Sequence, residues 1–170
     1  DVFFFPHYNV PRYAPSPLVV TVNDLIHFKF PQFFGRAKVA LARVVLKDAL
    51  YKAARIITVS KATAKDICDF APDIATKVRV IYEFPSEFFS VRPKAADVEA
   101  FKRERGLNQY ILYVGNRKPH KNLGRLLQAF ARLKPNCPEL KLVIAGKVFD
   151  QHDEVASMIR SLRLQGVMEI

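Results

Sequence analysis

Short runs of β-branched and aromatic residues alternate with stretches whose apolar positions recur every three to four residues, from one end of the chain to the other. That alternation predicts an α/β fold built on parallel sheets, because helices must cross over between strands that point the same way. Residues 2–5 and Leu18–Val22 read as buried strands. Over residues 36–53, Val39, Ala42, Leu46, Ala49 and Ala53 fall on one helical stripe. Residues 56–59 follow as a strand, Ser60 stands where it can cap a helix over Lys61–Phe70, and residues 78–82 return as a strand.

The periodicity then stops. Pro85, Pro93 and several polar residues mark residues 84–96 as a connection between two domains, residues 1–83 and 97–170. A second α/β unit follows, with a helix over 97–105 and a strand at Tyr110–Val114. Residues 122–133 form a helix through Leu123, Leu126, Leu127, Phe130 and Leu133, and residues 140–145 a strand. A helix over 150–164 and the start of a strand at 166–170 complete the pattern. No repeat of fixed period or low-complexity tract interrupts it.

Composition narrows the class of partner. Half of the 170 residues are hydrophobic, and 14 Phe with 6 Tyr supply a large aromatic load for burial. No apolar run approaches the roughly 20 residues of a membrane-crossing helix. The chain opens on Asp1 with neither an initiator Met nor a signal-peptide pattern, so Asp1 is not expected to be the natural start. A net charge of +11, shared almost evenly between the two halves, favours acidic partners held by a folded surface: nucleotide phosphates, anionic lipid headgroups or nucleic acid. Cys68 and Cys137 have no CxxC or Cys/His ligand spacing. They read as reduced core thiols in a cytosolic protein.

The segment from Tyr110 to Leu123, YILYVGNRKPHKNL, is the most informative: a hydrophobic strand enters a Gly turn, a basic loop and a helix. Amides at a helix start carry partial positive charge, and Arg117, Lys118 and Lys121 add formal charge beside them, a combination that suits a phosphate or diphosphate. Gly115 lets the backbone approach closely. An ordinary exposed loop with solvated Lys and Arg has the same spacing. The GxxxxGK[ST] pattern of a P-loop is absent.

With these residues in view the sequence resembles the group-1 (family 4) glycosyltransferases, whose two Rossmann-like lobes form the GT-B fold. Residues 20–27, VTVNDLIH, are similar to the family's V-H-D-L segment, and residues 55–63, RIITVSKAT, to its A-x-x-I-x-x-V-S-x-x-T segment. Residues 78–82 resemble the strand leading into the interdomain linker, Val114 to Leu123 the first strand and loop of the donor lobe, and residues 142–146, LVIAG, the next strand and its Gly. The resemblance makes residues 1–83 the carboxyl half of the acceptor-side lobe and 97–170 the amino half of the donor-side lobe of a longer enzyme. Negligible turnover is expected from these 170 residues alone.

What the resemblance implies is transfer of a sugar, with retention and without a metal, from a nucleotide-sugar donor to a glycan or lipid-linked acceptor. The diphosphate role falls on Lys121 first and Arg117 second, with Gly115 and Asn116 beside them. Family members commonly place Arg directly after the Gly, where this chain has Asn116. Asn23 and Asp24 occupy the positions that meet the sugar or acceptor. The family usually has His where Asn23 stands, and Asn cannot exchange a proton near neutral pH. Glu83 and Phe84 replace the family's Asn-Gly after Tyr82, which implies a stiffer hinge. No cofactor is expected, and no DxD triplet occurs.

Two further expectations concern surfaces. Arg36, Arg43 and Lys47 are predicted to share a helix face opposite the apolar stripe, where with the adjacent loop of residues 28–34 they could meet anionic lipid, giving a cytoplasmic protein peripheral to a membrane. The competing reading is a non-catalytic basic α/β module for nucleic acid or other polyanions. Most aromatics are predicted to lie inside strands or on apolar helix faces, leaving only the 28–34 loop as a stacking platform, which argues against nucleic acid.

Overall fold

The computed structural model describes residues 1–146 and 154–170. The chain divides into two compact units, residues 1–90 and 91–170, each an open parallel sheet with helices.

The first unit has four strands, β1 (Phe3–Phe5), β2 (Leu18–Val22), β3 (Arg55–Thr58) and β4 (Val78–Val80), in that spatial order and all parallel. Between β2 and β3 run a short helix α1 (Ile26–Lys29) and the long α2 (Arg36–Lys52); α3 (Lys61–Phe70) joins β3 to β4. Val20, Val22 and Ile56 on the two inner strands are fully buried in one cluster with Leu46, Leu50 and Ile67 of the helices. α3 starts where the sequence places a cap: Ser60 is extended and its Oγ accepts the Thr63 N–H at 3.1 Å, satisfying a first-turn amide that has no intrahelical partner.

In the second unit β5 (Tyr110–Val114), β6 (Lys141–Ala145) and β7 (Val167–Glu169) are parallel, with β6 in the middle. Helix α4 (Ala95–Glu104) precedes β5, α5 (Leu123–Leu133) joins β5 to β6, and α6 (Glu154–Ser161) lies before β7. Leu123, Leu127 and Phe130 recur at helical spacing on α5 and pack with Leu142 and Ile144 of β6 and Val155 of α6. Gly124 lets α6 approach, since a Cβ there would lie 3.2 Å from the Met158 sulfur.

Several expectations are corrected. β1 is not buried: among the described residues it pairs with β2 alone, and Phe3 and Phe4 are exposed. β4 ends at Val80, although the Ile81 N–H still bonds to the Thr58 carbonyl at 2.9 Å, and Ile81 and Tyr82 are exposed. The expected 28–34 loop is mostly helical, α1 followed by a 3-10 turn at Pro31–Phe33. Within it Phe28 stacks on Phe70 and packs on the core, and Phe34 meets His27, so only Phe30 and Phe33 are left exposed. The connection at 84–96 carries a 3-10 turn at Glu87–Ser90 and the start of α4. The first four residues of the helix expected over 150–164 lie outside the described residues.

Both cysteines are free but only half-buried. Cys68 is one residue round α3 from its buried position Ile67, and Cys137 lies in the connection between α5 and β6. The aromatic load is also less buried than expected. Tyr13, Phe84, Phe88 and Phe89 are exposed, three of them in the connection, where no regular element offers a face to cover them.

Arg36, Arg43 and Lys47 are exposed, but they flank the buried stripe of α2 instead of opposing it. At 100° per residue they stand roughly a quarter-turn from Leu46 and nearer still to Leu50. Arg43 accordingly lies over the rings of Phe28 and Phe70, at 5.8 and 5.7 Å from their centroids. The outermost face of α2 carries Leu41, Val44 and Tyr51, all exposed.

Candidate functional site

In an open parallel sheet, ligand-binding loops gather at the carboxyl ends of the strands. The second unit builds that edge from the ends of β5, β6 and β7. β5 runs out through Val114 into Gly115, whose N–H bonds to the Ala145 carbonyl at 2.9 Å, and β6 runs out into Gly146, whose N–H bonds to the Ile170 carbonyl at 3.1 Å. Gly115 and Gly146 have φ of 153° and 146°. A Cβ on Gly146 would sit 2.1 Å from the Gly115 carbonyl oxygen, so glycine there is a requirement of two backbones crossing at van der Waals distance.

The loop that follows Gly115 is held by its own side chains. Tyr113 Oη donates to the Asn116 carbonyl at 2.7 Å, and Asn116 Oδ1 accepts the Lys118 N–H at 3.3 Å in an Asx turn. A 3-10 turn at Pro119–Lys121 then leads to Asn122, which is left-handed at φ 55° and precedes α5. α5 was expected to start at Asn122; its left-handed backbone puts it outside, and the first helical bond runs from the Arg125 N–H to the Asn122 carbonyl. The amides of Leu123 and Gly124 come before that bond, at the positive end of the helix dipole.

The four residues expected to hold a diphosphate, Gly115, Asn116, Arg117 and Lys121, thus share one loop at this edge. Their side chains differ in availability. Lys118 and Lys121 are exposed, and Lys121 makes no ion pair among the described residues. The Arg117 side chain is only 6% exposed, and its Nη2 lies 3.0 Å from Glu169 Oε2 on β7. Sequence reasoning missed Glu169, since nothing in a strand position 52 residues away marks it as the partner of Arg117.

The first unit builds a separate edge. Asn23 and Asp24 follow β2 and are exposed. The Asn23 carbonyl accepts from Thr63 Oγ1 at 3.0 Å, Thr63 Oγ1 lies 3.0 Å from Ser60 Oγ, and Asp24 Oδ1 caps the Ile26 N–H at 3.1 Å. The buried Tyr8, just beyond β1, has its phenol pushed above its ordinary value by burial and then by the Asp24 charge. Ser60 was legible as a cap, but its contact with Thr63 was not. Tyr8 carried no such signal. His27, four residues after Asn23, packs against Phe34 with the rings tilted by 45° and their centroids 4.3 Å apart.

Residues 97–167 match the family model of glycosyl transferases group 1, which covers much of the second unit and none of the first. Among solved structures, the chain is similar to HepE of Anabaena in complex with UDP-glucose (TM-score 0.73, 22% identity), with UDP and glucose (0.71, 20%) and with UDP (0.70, 20%). The fold is of the GT-B type. Each superposition covers 91% of this chain and 41% of the other, so the chain spans about two-fifths of the length of the proteins it matches. No match was found among curated protein sequences. Among the described residues no helix is long and apolar enough to cross a membrane.

Proposed function

We propose that the chain belongs to a glycosyltransferase that takes its sugar from a nucleotide-sugar donor, and that the second unit holds the donor diphosphate on the loop from Gly115 to Leu123. The observation that carries this reading is the exposed Lys121 at the carboxyl edge of a parallel sheet, next to helix-start amides and Lys118. Support comes from the family match over 97–167 and from the likeness to HepE, which was solved with UDP-glucose and UDP bound. A leaving diphosphate gains negative charge as the glycosidic bond breaks, and fixed cations and amides stabilise that charge without reorganising. Lys121 and the Leu123 and Gly124 amides are assigned this role, with no metal required. Asn23 and Asp24 are assigned contacts to sugar or acceptor hydroxyls. Asn23 can hydrogen-bond but not relay a proton, so it is given no acid-base role, and retention is proposed on the family resemblance alone.

The acceptor is taken to be a glycan or a lipid-linked sugar. For a lipid-linked acceptor, Arg36, Lys47 and the exposed Phe30 and Phe33 supply cations and apolar anchors for an anionic membrane surface, while Arg43 is engaged by Phe28 and Phe70. The test of the donor site is Lys121→Ala in the whole protein, with UDP binding followed by calorimetry. Loss of one charge-assisted contact of roughly 1.5–3 kcal/mol should weaken binding about ten- to a hundredfold. Unchanged affinity would reject the assignment.

A further inference from the structure

Arg117 lies in the loop beside the exposed lysines, yet its own side chain is almost fully buried. Standing two residues after Gly115, it pairs with Glu169 on β7, and because β6 lies between β5 and β7 this ion pair ties the loop after β5 to the far strand of the sheet. At the end of β6 the Gly146 backbone is packed so closely on Gly115 that a Cβ there would lie 2.1 Å from the Gly115 carbonyl oxygen, which pins the start of the loop that carries Arg117. The position of Glu169 is fixed in turn by the ladder, opposite Ile144, with the Ile170 N–H bonded to the Ile144 carbonyl at 3.0 Å. A guanidinium on a side chain that is only 6% exposed needs a counter-charge, since burying it alone would cost several kcal/mol. Glu169 supplies that charge from within the fold.

We propose that Glu169 is a positioning residue. Its carboxylate holds Arg117 as an internal strut that sets the path of residues 116–122, and the side-chain charge offered to the diphosphate comes from Lys121 and not from Arg117. This deepens the donor-site reading and rests on it. It also reverses the expected second role of Arg117, because a guanidinium neutralised by Glu169 adds little attraction for a phosphate outside.

The experiment compares parent, Glu169→Gln, Arg117→Lys and Lys121→Ala in the whole protein, well below any unfolding transition. Two readouts are taken: amide hydrogen exchange over residues 116–122 without ligand, and UDP affinity as a function of salt. Glu169→Gln is expected to speed exchange in the loop at least tenfold and to weaken UDP about tenfold while the salt dependence stays that of the parent. Arg117→Lys, which keeps the charge but not the fork, should show the same loop signature. Lys121→Ala should leave exchange unchanged and flatten the salt dependence. Unchanged or tighter UDP binding by Glu169→Gln would overturn the proposal, since a released Arg117 would then be reaching the phosphate. Unchanged loop exchange in Glu169→Gln would overturn it as well. Failure of UDP to bind even the parent, with loop exchange still responding to Glu169→Gln, would reject the donor-site reading and leave the strut standing.

Discussion

Replacing Gly146 by Ala puts the packing of the second unit's carboxyl edge under its sharpest stress. The new Cβ would be placed 2.1 Å from the Gly115 carbonyl oxygen, about 1 Å inside ordinary contact, and that oxygen belongs to backbone that cannot swing aside like a side-chain tip. The residue would also have to keep a φ of 146°, a region open essentially to glycine and costing about 1–3 kcal/mol for other residues. Relief requires β5 and β6 to part at their ends, which lengthens the 2.9 Å bond from the Gly115 N–H to the Ala145 carbonyl and forfeits about 1 kcal/mol. Together these make a loss of roughly 2–4 kcal/mol, a large fraction of a domain's stability. Amide exchange of β5 and β6 under increasing urea should show the second unit opening about 1–2 M earlier, for a slope of roughly 2 kcal/mol per molar. Gly35→Ala, where the Cβ meets nothing within 4 Å, is the control and should shift far less. A Gly146→Ala protein whose strands open at the parent's urea concentration would refute the close-crossing geometry.

Two further outcomes are expected in the first unit. Ser60→Ala removes the acceptor for the Thr63 N–H and loosens the link from Thr63 to the Asn23 carbonyl, so thermal or urea unfolding should show a loss of about 1 kcal/mol; a change within about 0.2 kcal/mol would mean that the cap is not formed in solution. Because the Tyr8 phenol is raised in the folded state, its contribution to stability is complete below its ordinary value near 10 and is lost as pH rises through the higher folded value. Tyr8→Phe should therefore unfold with a shallower pH dependence above pH 10 than the parent, and parallel pH profiles would contradict the burial of a neutral Tyr8.

The α/β pattern was legible because strand and helix periods differ: the apolar runs at Leu18–Val22 and Tyr110–Val114 and the helical stripe through Leu123, Leu127 and Phe130 each admit one kind of element. Ser60 was legible because capping is local chemistry. Edge position was not, since the apolar run at β1 looks the same in sequence whether a neighbour covers it or leaves Phe3 and Phe4 exposed. The face occupied by Arg43 was misjudged for a related reason. A cation at the border of an apolar stripe can either point to water or lie on nearby rings, and only the folding of residues 26–33 into helical turns brings Phe28 within reach. At the candidate site the loop and its lysines were visible as a motif. The pairing of Arg117 with Glu169 depends on strand order, which the sequence does not carry.

The most direct measurement of the central claim is a titration of the whole protein with UDP and with uridine, followed by residue-resolved hydrogen exchange. If the diphosphate is gripped by the loop after Gly115, UDP should bind, its affinity should fall with added salt, and amides from 116 to 124 should gain protection that uridine does not confer. Equal binding of uridine and UDP, or protection confined to residues outside that loop, would contradict it.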